Sequence, residues 1–157
     1  MKTFTHALLA VTLASTSLCA LAQAYGPPIS LEQARKAMAA AEAEVKRNNW
    51  TMAIAIVDSG GHLVLFQRAD GTQFAGAKIA EDKAWSAAAY KRPGKMFQDR
   101  LAKLGEDMRI LHLRGVIAVD GGDPIIVDGK VIGGIGVSGG SGEQDGSVSK
   151  AGAGALK

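Results

Sequence analysis

The dipeptide Asp128-Gly129 sets the tightest limit on what this chain can become. It separates two short apolar runs, residues 125–127 and 131–137, both rich in isoleucine and valine. Asp-Gly between two such runs is a two-residue hairpin signal, because its second residue accepts the positive φ that the turn demands. A parallel crossover needs a dozen or more residues between strands, so a doubly wound parallel sheet is excluded for this part of the chain.

The rest of the pattern is consistent with an antiparallel sheet. Ser30 and Gln33 have capping-box spacing, and Leu31, Ala34, Met38, Ala41 and Val45 recur at three- and four-residue intervals. They predict an amphipathic helix that stops near Asn48-Asn49. Residues 51–58 and 63–68, joined by Ser59-Gly60-Gly61, predict a hairpin. After Asp70-Gly71, the positions Phe74, Ala77, Ile79, Ala80, Ala84, Ala87 and Ala88 predict a second helix ending at Tyr90, before Arg92-Pro93. Alanines on one of its faces permit close packing on a sheet, and Glu81, Asp82 and Lys83 read as its solvated face. Trp85 and Tyr90, five positions apart, are expected to point in different directions and to serve the core.

Residues 95–104 suit a short third helix, whereas 105–112 fit no single pattern. Residues 116–119 read as a further strand, and the glycine-rich turn Gly139-Gly140-Ser141-Gly142 leads into a last helix from about Glu143. The expected fold is of α/β class, α+β type: an antiparallel sheet of about five strands with helices on one or both faces.

The N-terminus reads as a secretory signal. Lys2 precedes the apolar residues 7–14, and Ala22-Gln23-Ala24 fits the small-residue cleavage rule, which predicts cleavage after Ala24. The apolar stretch is too short for a membrane span, so no span is expected in the mature form. One domain over residues 25–157 remains, large enough to hold a core without a metal or disulfide. Cys19, the one cysteine, lies in the expected signal, and Thr16-Ser17-Leu18 before it lacks the small residue of a lipoprotein signal. A thiol-free mature chain leaves no cysteine nucleophile, thiolate metal site or disulfide scaffold. Lys2 is the one Asp, Glu, Lys or Arg before residue 25, so its removal takes the formal charge from +3 to +2. That excess is too small for a nucleic-acid partner and is compatible with a tetrapyrrole or a small organic acid.

Four features carry candidate chemistry. Gly134-Ile135-Gly136-Val137-Ser138-Gly139 matches the G-x-G-x-x-G pattern, but its first two glycines fall inside a predicted strand and no strand-helix-strand unit can follow. Gly136-Val137-Ser138-Gly139-Gly140 matches G-x-S-x-G, yet every histidine precedes Ser138, the wrong order for an α/β-hydrolase. Gly139, Gly140, Ser141 and Gly142 can cradle a carboxylate or phosphate with backbone N–H groups, or make a tight strand-to-helix turn and nothing more.

His62 and His112 are the imidazoles of the expected mature chain. His112 lies among Ile110, Leu111 and Leu113, with Arg109 and Arg114 close by, a composition that suits an amphiphilic anion; the alternative is a packed or surface histidine. His62 follows a Gly-Gly turn and reads as exposed. Neither belongs to a zinc-ligand spacing, so no dedicated metal site is expected.

Three stretches together resemble the GlcG/HbpS family, also called the domain-of-unknown-function 336 family, which includes the C-terminal domain of PduO-type proteins. They are Ile56-Val57-Asp58-Ser59-Gly60-Gly61 with Arg68-Ala69-Asp70-Gly71; Lys83-Ala84-Trp85-Ser86-Ala87 with Arg92-Pro93; and Gly121-Gly122-Asp123-Pro124-Ile125 continuing through Gly133-Gly134-Ile135-Gly136-Val137-Ser138-Gly139-Gly140 to Glu143-Gln144-Asp145. The resemblance implies a profilin-like or PAS-like fold, homo-oligomers and, in some members, binding of haem or another tetrapyrrole. Exported members are linked with haem or iron sensing. It transfers no catalytic residues.

The resulting expectation is a periplasmic or secreted haem-binding protein, non-enzymatic, acting in haem or iron sensing or sequestration. Its candidate axial ligands are His112 and His62, and its candidate propionate partners Arg109 and Arg114. The alternatives are a module binding a small carboxylate, such as a hydroxy acid, at 139–142, or an accessory enzyme of organic-acid metabolism using Ser138 or Asp145.

Overall fold

The computed structural model describes residues 23–156. Residues 1–22, which carry most of the expected signal, lie outside the described residues, as does Lys157.

Helix α1 (Leu31–Arg47) begins as its sequence predicts: the Ser30 hydroxyl accepts the Gln33 N–H, and the Gln33 side chain accepts the Ser30 N–H. It ends at Asn48, whose N–H reaches back to the Glu44 carbonyl. Strands β1 (Ala53–Asp58) and β2 (Leu63–Arg68) form the first hairpin. Helices α2 (Gly76–Tyr90) and α3 (Gly94–Leu101) follow, and the ambiguous stretch is a 3₁₀ helix, Gly105–His112. Strands β3 (Gly122–Val127) and β4 (Lys130–Ser138) flank the Asp128-Gly129 turn, where both residues have positive φ, 49° and 72°. Helix α4 (Gly142–Ala153) closes the fold with a second capping box, Ser141 and Gln144.

The sheet is antiparallel throughout, in the order β2-β1-β4-β3. Pro124 falls in β3, an edge strand, where a missing N–H costs little. Helix α2 covers one face, and α1 and α4 cover the other. Alternation along the strands feeds both layers. Ala53, Ala55 and Val57 meet Ala80, Ala84 and Ala88 of α2, while Ile54, Ile56, Ile135 and Val137 join Ala34, Met38, Ala41 and Val148 beneath α1 and α4.

Gly134 and Gly136 of the G-x-G-x-x-G match pair with Val57 and Ala55 on the α2 side. A Cβ on Gly136 would lie 2.0 Å from the Ala80 carbonyl oxygen, and one on Gly134 would lie 2.4 Å from that of Ala84. These glycines let the helix backbone rest directly on the sheet.

Four strands form where about five were expected, because residues 116–119 are not a strand. Val116 N–H turns back to the Leu113 carbonyl, and two donors that follow it go to helix side chains. Ile117 N–H donates to Ser86 Oγ of α2, and the N–H of Asp120 just beyond donates to Gln98 Oε1 of α3. The segment therefore runs over the helices and not along a sheet edge.

Phe74 is a second departure, standing 94% exposed ahead of α2 and outside its packed face. Among the described residues no helix is long and apolar enough to cross a membrane.

Candidate functional site

Lys83 is the largest correction to the sequence reading. It sits at 4% exposure inside the α2–sheet layer, where its ammonium donates to Asp145 Oδ2 at 2.7 Å and to the Val137 carbonyl at 2.9 Å. Its three- and four-residue spacing from Ala80 and Ala87 places it on the alanine face, a signal already present in the helical register.

The buried ion pair brings α4 to the glycine turn. Asp145 accepts the Gly140 N–H on its other oxygen, 3.0 Å away, and Gln144 Oε1 accepts the Ser141 N–H at 2.9 Å. Two N–H donors of the 139–142 turn are thus engaged by the chain's own side chains. The other candidates of this region are closed to solvent: Ser138 is 4% exposed in β4, and Asp145 is held by Lys83.

Beside this network lie two more buried carboxylates, Asp120 and Asp123. Asp123 is held above the ordinary aspartate value, chiefly by burial, which the hydrogen bond from Ser149 only partly offsets. Neither was singled out from sequence, since an aspartate in a glycine-rich turn looks solvated until the helix above it is placed.

The accessible chemistry gathers around Trp85. Its indole is 38% exposed, with Gly61 against one edge and Gly115 against the other; Cβ atoms there would lie 2.6 and 2.5 Å from the ring. Both glycines have positive φ, 84° and 73°. Trp85 and Tyr90 are not directed apart: they meet edge to face at 6.5 Å, and Tyr90 meets Phe97 at 5.7 Å. The Tyr90 hydroxyl donates to the Arg114 carbonyl at 2.7 Å, which ties residues 113–115 to α2.

Two cavities share Trp85 and Asp82. One, of about 370 Å³, is lined by Asp82, Trp85, Arg114, Gly115 and Ile117. The other, of about 210 Å³, adds Val57, Gly61, Leu63, Lys78 and Glu81. Lys78 bridges to Asp82 at 2.8 Å and Glu81 at 3.5 Å, whereas Arg114 has no ion-pair partner among the described residues.

His112 closes the 3₁₀ helix just ahead of this surface, exposed and flanked by exposed Leu111 and Leu113. In a 3₁₀ helix residues three apart eclipse, so Arg109 shares an edge with His112 and Met108 shares one with Leu111. The imidazole stands outside the Trp85 cavity lining, and among the described residues it makes no side-chain hydrogen bond.

His62 is placed differently. Its Nδ1 lies 3.2 Å from Asp58 Oδ1, which also accepts the backbone N–H groups of Gly60 and His62. Burial pushes the Asp58 carboxyl up, but these donors outweigh it and hold it below the usual range. The ring is thus turned to a hairpin cap, and the two histidines are not brought together at Trp85. Among the described residues no cluster of three His, Cys, Asp or Glu side chains could hold a metal ion.

Residues 29–154 match the family described as "Haem degrading protein HbpS-like". The chain belongs to the HbpS-like family. Protein GlcG of Escherichia coli K12 is 36% identical over 110 residues, 70% of this chain and 81% of GlcG. A solved double mutant of Streptomyces reticuli HbpS superposes with a TM-score of 0.75 at 28% identity, covering 98% of this chain and 99% of that one. The solved PduOC–haem complex gives 0.74 at 25% identity, covering 83% and 96%.

As a member of the HbpS-like family, the chain can be tested for its fit to haem on its own residues. An unbonded imidazole between two exposed leucines, with Arg109 on its edge and Arg114 beside a half-exposed indole, offers an iron ligand, apolar contact and two cations for propionates. The residue types fit the group.

Proposed function

We propose that this chain is an exported haem-binding protein, with haem lying on the surface formed by His112, Leu111 and Leu113 beside the Trp85 cavity. The observation that carries this reading is the 3₁₀ conformation of Gly105–His112, which aligns an exposed arginine with an exposed imidazole between apolar neighbours. Membership of the HbpS-like family and likeness to a haem complex support it. His112 is the proposed iron ligand, with Arg109 and Arg114 as propionate partners. His62 is the second candidate, with less support because Asp58 already engages its Nδ1. Sensing or sequestration of haem or iron, in the periplasm or outside the cell and by a homo-oligomer, is the role proposed for it.

The deciding experiment titrates the purified protein with haemin and follows the Soret band in parallel with His112→Ala and His62→Ala. A saturable shift lost in His112→Ala is expected. Absence of any saturable shift removes the haem reading, and a shift lost only in His62→Ala moves the iron to the hairpin tip. Turnover of haem, which the family description names, would appear as progressive decay of the band. Intact mass of the exported product tests cleavage after Ala24, and light scattering with and without haem tests assembly.

A further inference from the structure

The surface opposite α2 holds a cavity that the haem reading does not use. It opens between the C-terminal half of α1 and the β1–β2 hairpin, encloses about 290 Å³, and is lined by Glu42, Val45, Lys46, Asn49, Trp50, Met52, Ile54, Gln67 and Ala69. Met52 and Ile54 are buried and form an apolar floor with Val45 and half-buried Trp50.

The polar residues stand at the rim and differ in availability. Glu42 is engaged by the Gln67 amide on one side of the mouth. The neighbouring pair on α1 is Glu44 with Arg47, and Asn48 also bonds Glu44. Lys46 is exposed and has no ion-pair partner among the described residues.

The opening therefore offers an apolar, tryptophan-sided interior with the unpaired Lys46 ammonium on its rim, while the Glu42 carboxylate, also on the rim, is capped by the neutral Gln67 amide. Its volume is at the small end of ligand pockets, which run from roughly 300 to 1,000 Å³, and too small for a tetrapyrrole. We infer that it binds a small amphipathic monocarboxylate, an aryl or short aliphatic acid, with the apolar part against Trp50 and Met52 and the carboxylate on Lys46. Burying the apolar part supplies most of the affinity, while a charge-assisted hydrogen bond to lysine selects the anion over its amide. This site and the Trp85 surface lie on opposite faces of the sheet, so neither depends on the other.

The two tryptophans make the test direct. In Trp85→Phe, emission reports Trp50 alone, and calorimetry on the unmodified protein guards against a fold defect in that variant. Phenylacetate and octanoate are the probes, with phenylacetamide as the neutral match. Saturable binding of at least one acid is expected, about tenfold weaker in Lys46→Gln, about tenfold weaker for the amide, and absent in Ala69→Phe, which fills the cavity. Binding should persist in His112→Ala. No saturable signal with either acid by either method overturns the site, and equal affinity in Lys46→Gln overturns the carboxylate assignment.

Discussion

Lys83 carries a charge into the layer between α2 and the sheet, where only Asp145 and a main-chain carbonyl receive it. Removing one partner strands the other, so Lys83→Met should cost about 3–5 kcal/mol in urea denaturation. Lys83→Met with Asp145→Leu should cost clearly less than the two single changes together; simple additivity would show that the pair does not couple. Asp123 works in the opposite sense. Its folded-state pKa is raised, so its contribution is fully present below the unfolded value of 3.8 and is lost as pH rises through the folded value. Asp123→Asn keeps an acceptor for Ser149 without a buried charge. We expect it to raise the melting temperature at pH 7 and to leave it unchanged or lower near pH 3, a difference that paired thermal melts would register.

At the scale of elements, the α2–sheet contact is set by what is missing from β4. A methyl group on Gly136 has no space beside the Ala80 carbonyl, so Gly136→Ala must push helix and sheet apart. We expect a loss of about 3 kcal/mol or more, or failure to fold, by chemical denaturation. Ser30→Ala removes only the acceptor for the Gln33 N–H and should cost about 1 kcal/mol. The contrast follows from position: a cap faces water, which can replace the lost bond, whereas nothing in a closed layer can move aside for a methyl group.

Across the whole molecule the sheet separates two environments, each marked by one tryptophan. Trp85 lies between the Gly61 and Gly115 turns on the α2 side, and Trp50 flanks the cavity under α1. Haem on the His112 surface should quench Trp85 strongly and Trp50 less, read from the single-tryptophan variants Trp50→Phe and Trp85→Phe. Stronger quenching of Trp50 would place the haem on the other side of the sheet.

Much of this was legible along the chain because it rests on local chemistry. Ser30 and Gln33 marked a helix start, Asp128-Gly129 marked a hairpin, and the apolar periods marked α1, α2 and the four strands. These signals act within a few residues of one another and need no knowledge of neighbours. Residues 116–119 misled because a β-rich run becomes a strand only if a strand edge is free to pair with it, and here Ser86 takes the Ile117 N–H while Gln98 takes that of Asp120 just beyond. The burial of Lys83, the meeting of Trp85 with two distant glycine turns, and the engagement of the 139–142 donors by Asp145 and Gln144 were likewise decided by packing. Each joins segments far apart in sequence, and whether a charge, a ring or an N–H group is available to a ligand depends on what the rest of the fold brings against it.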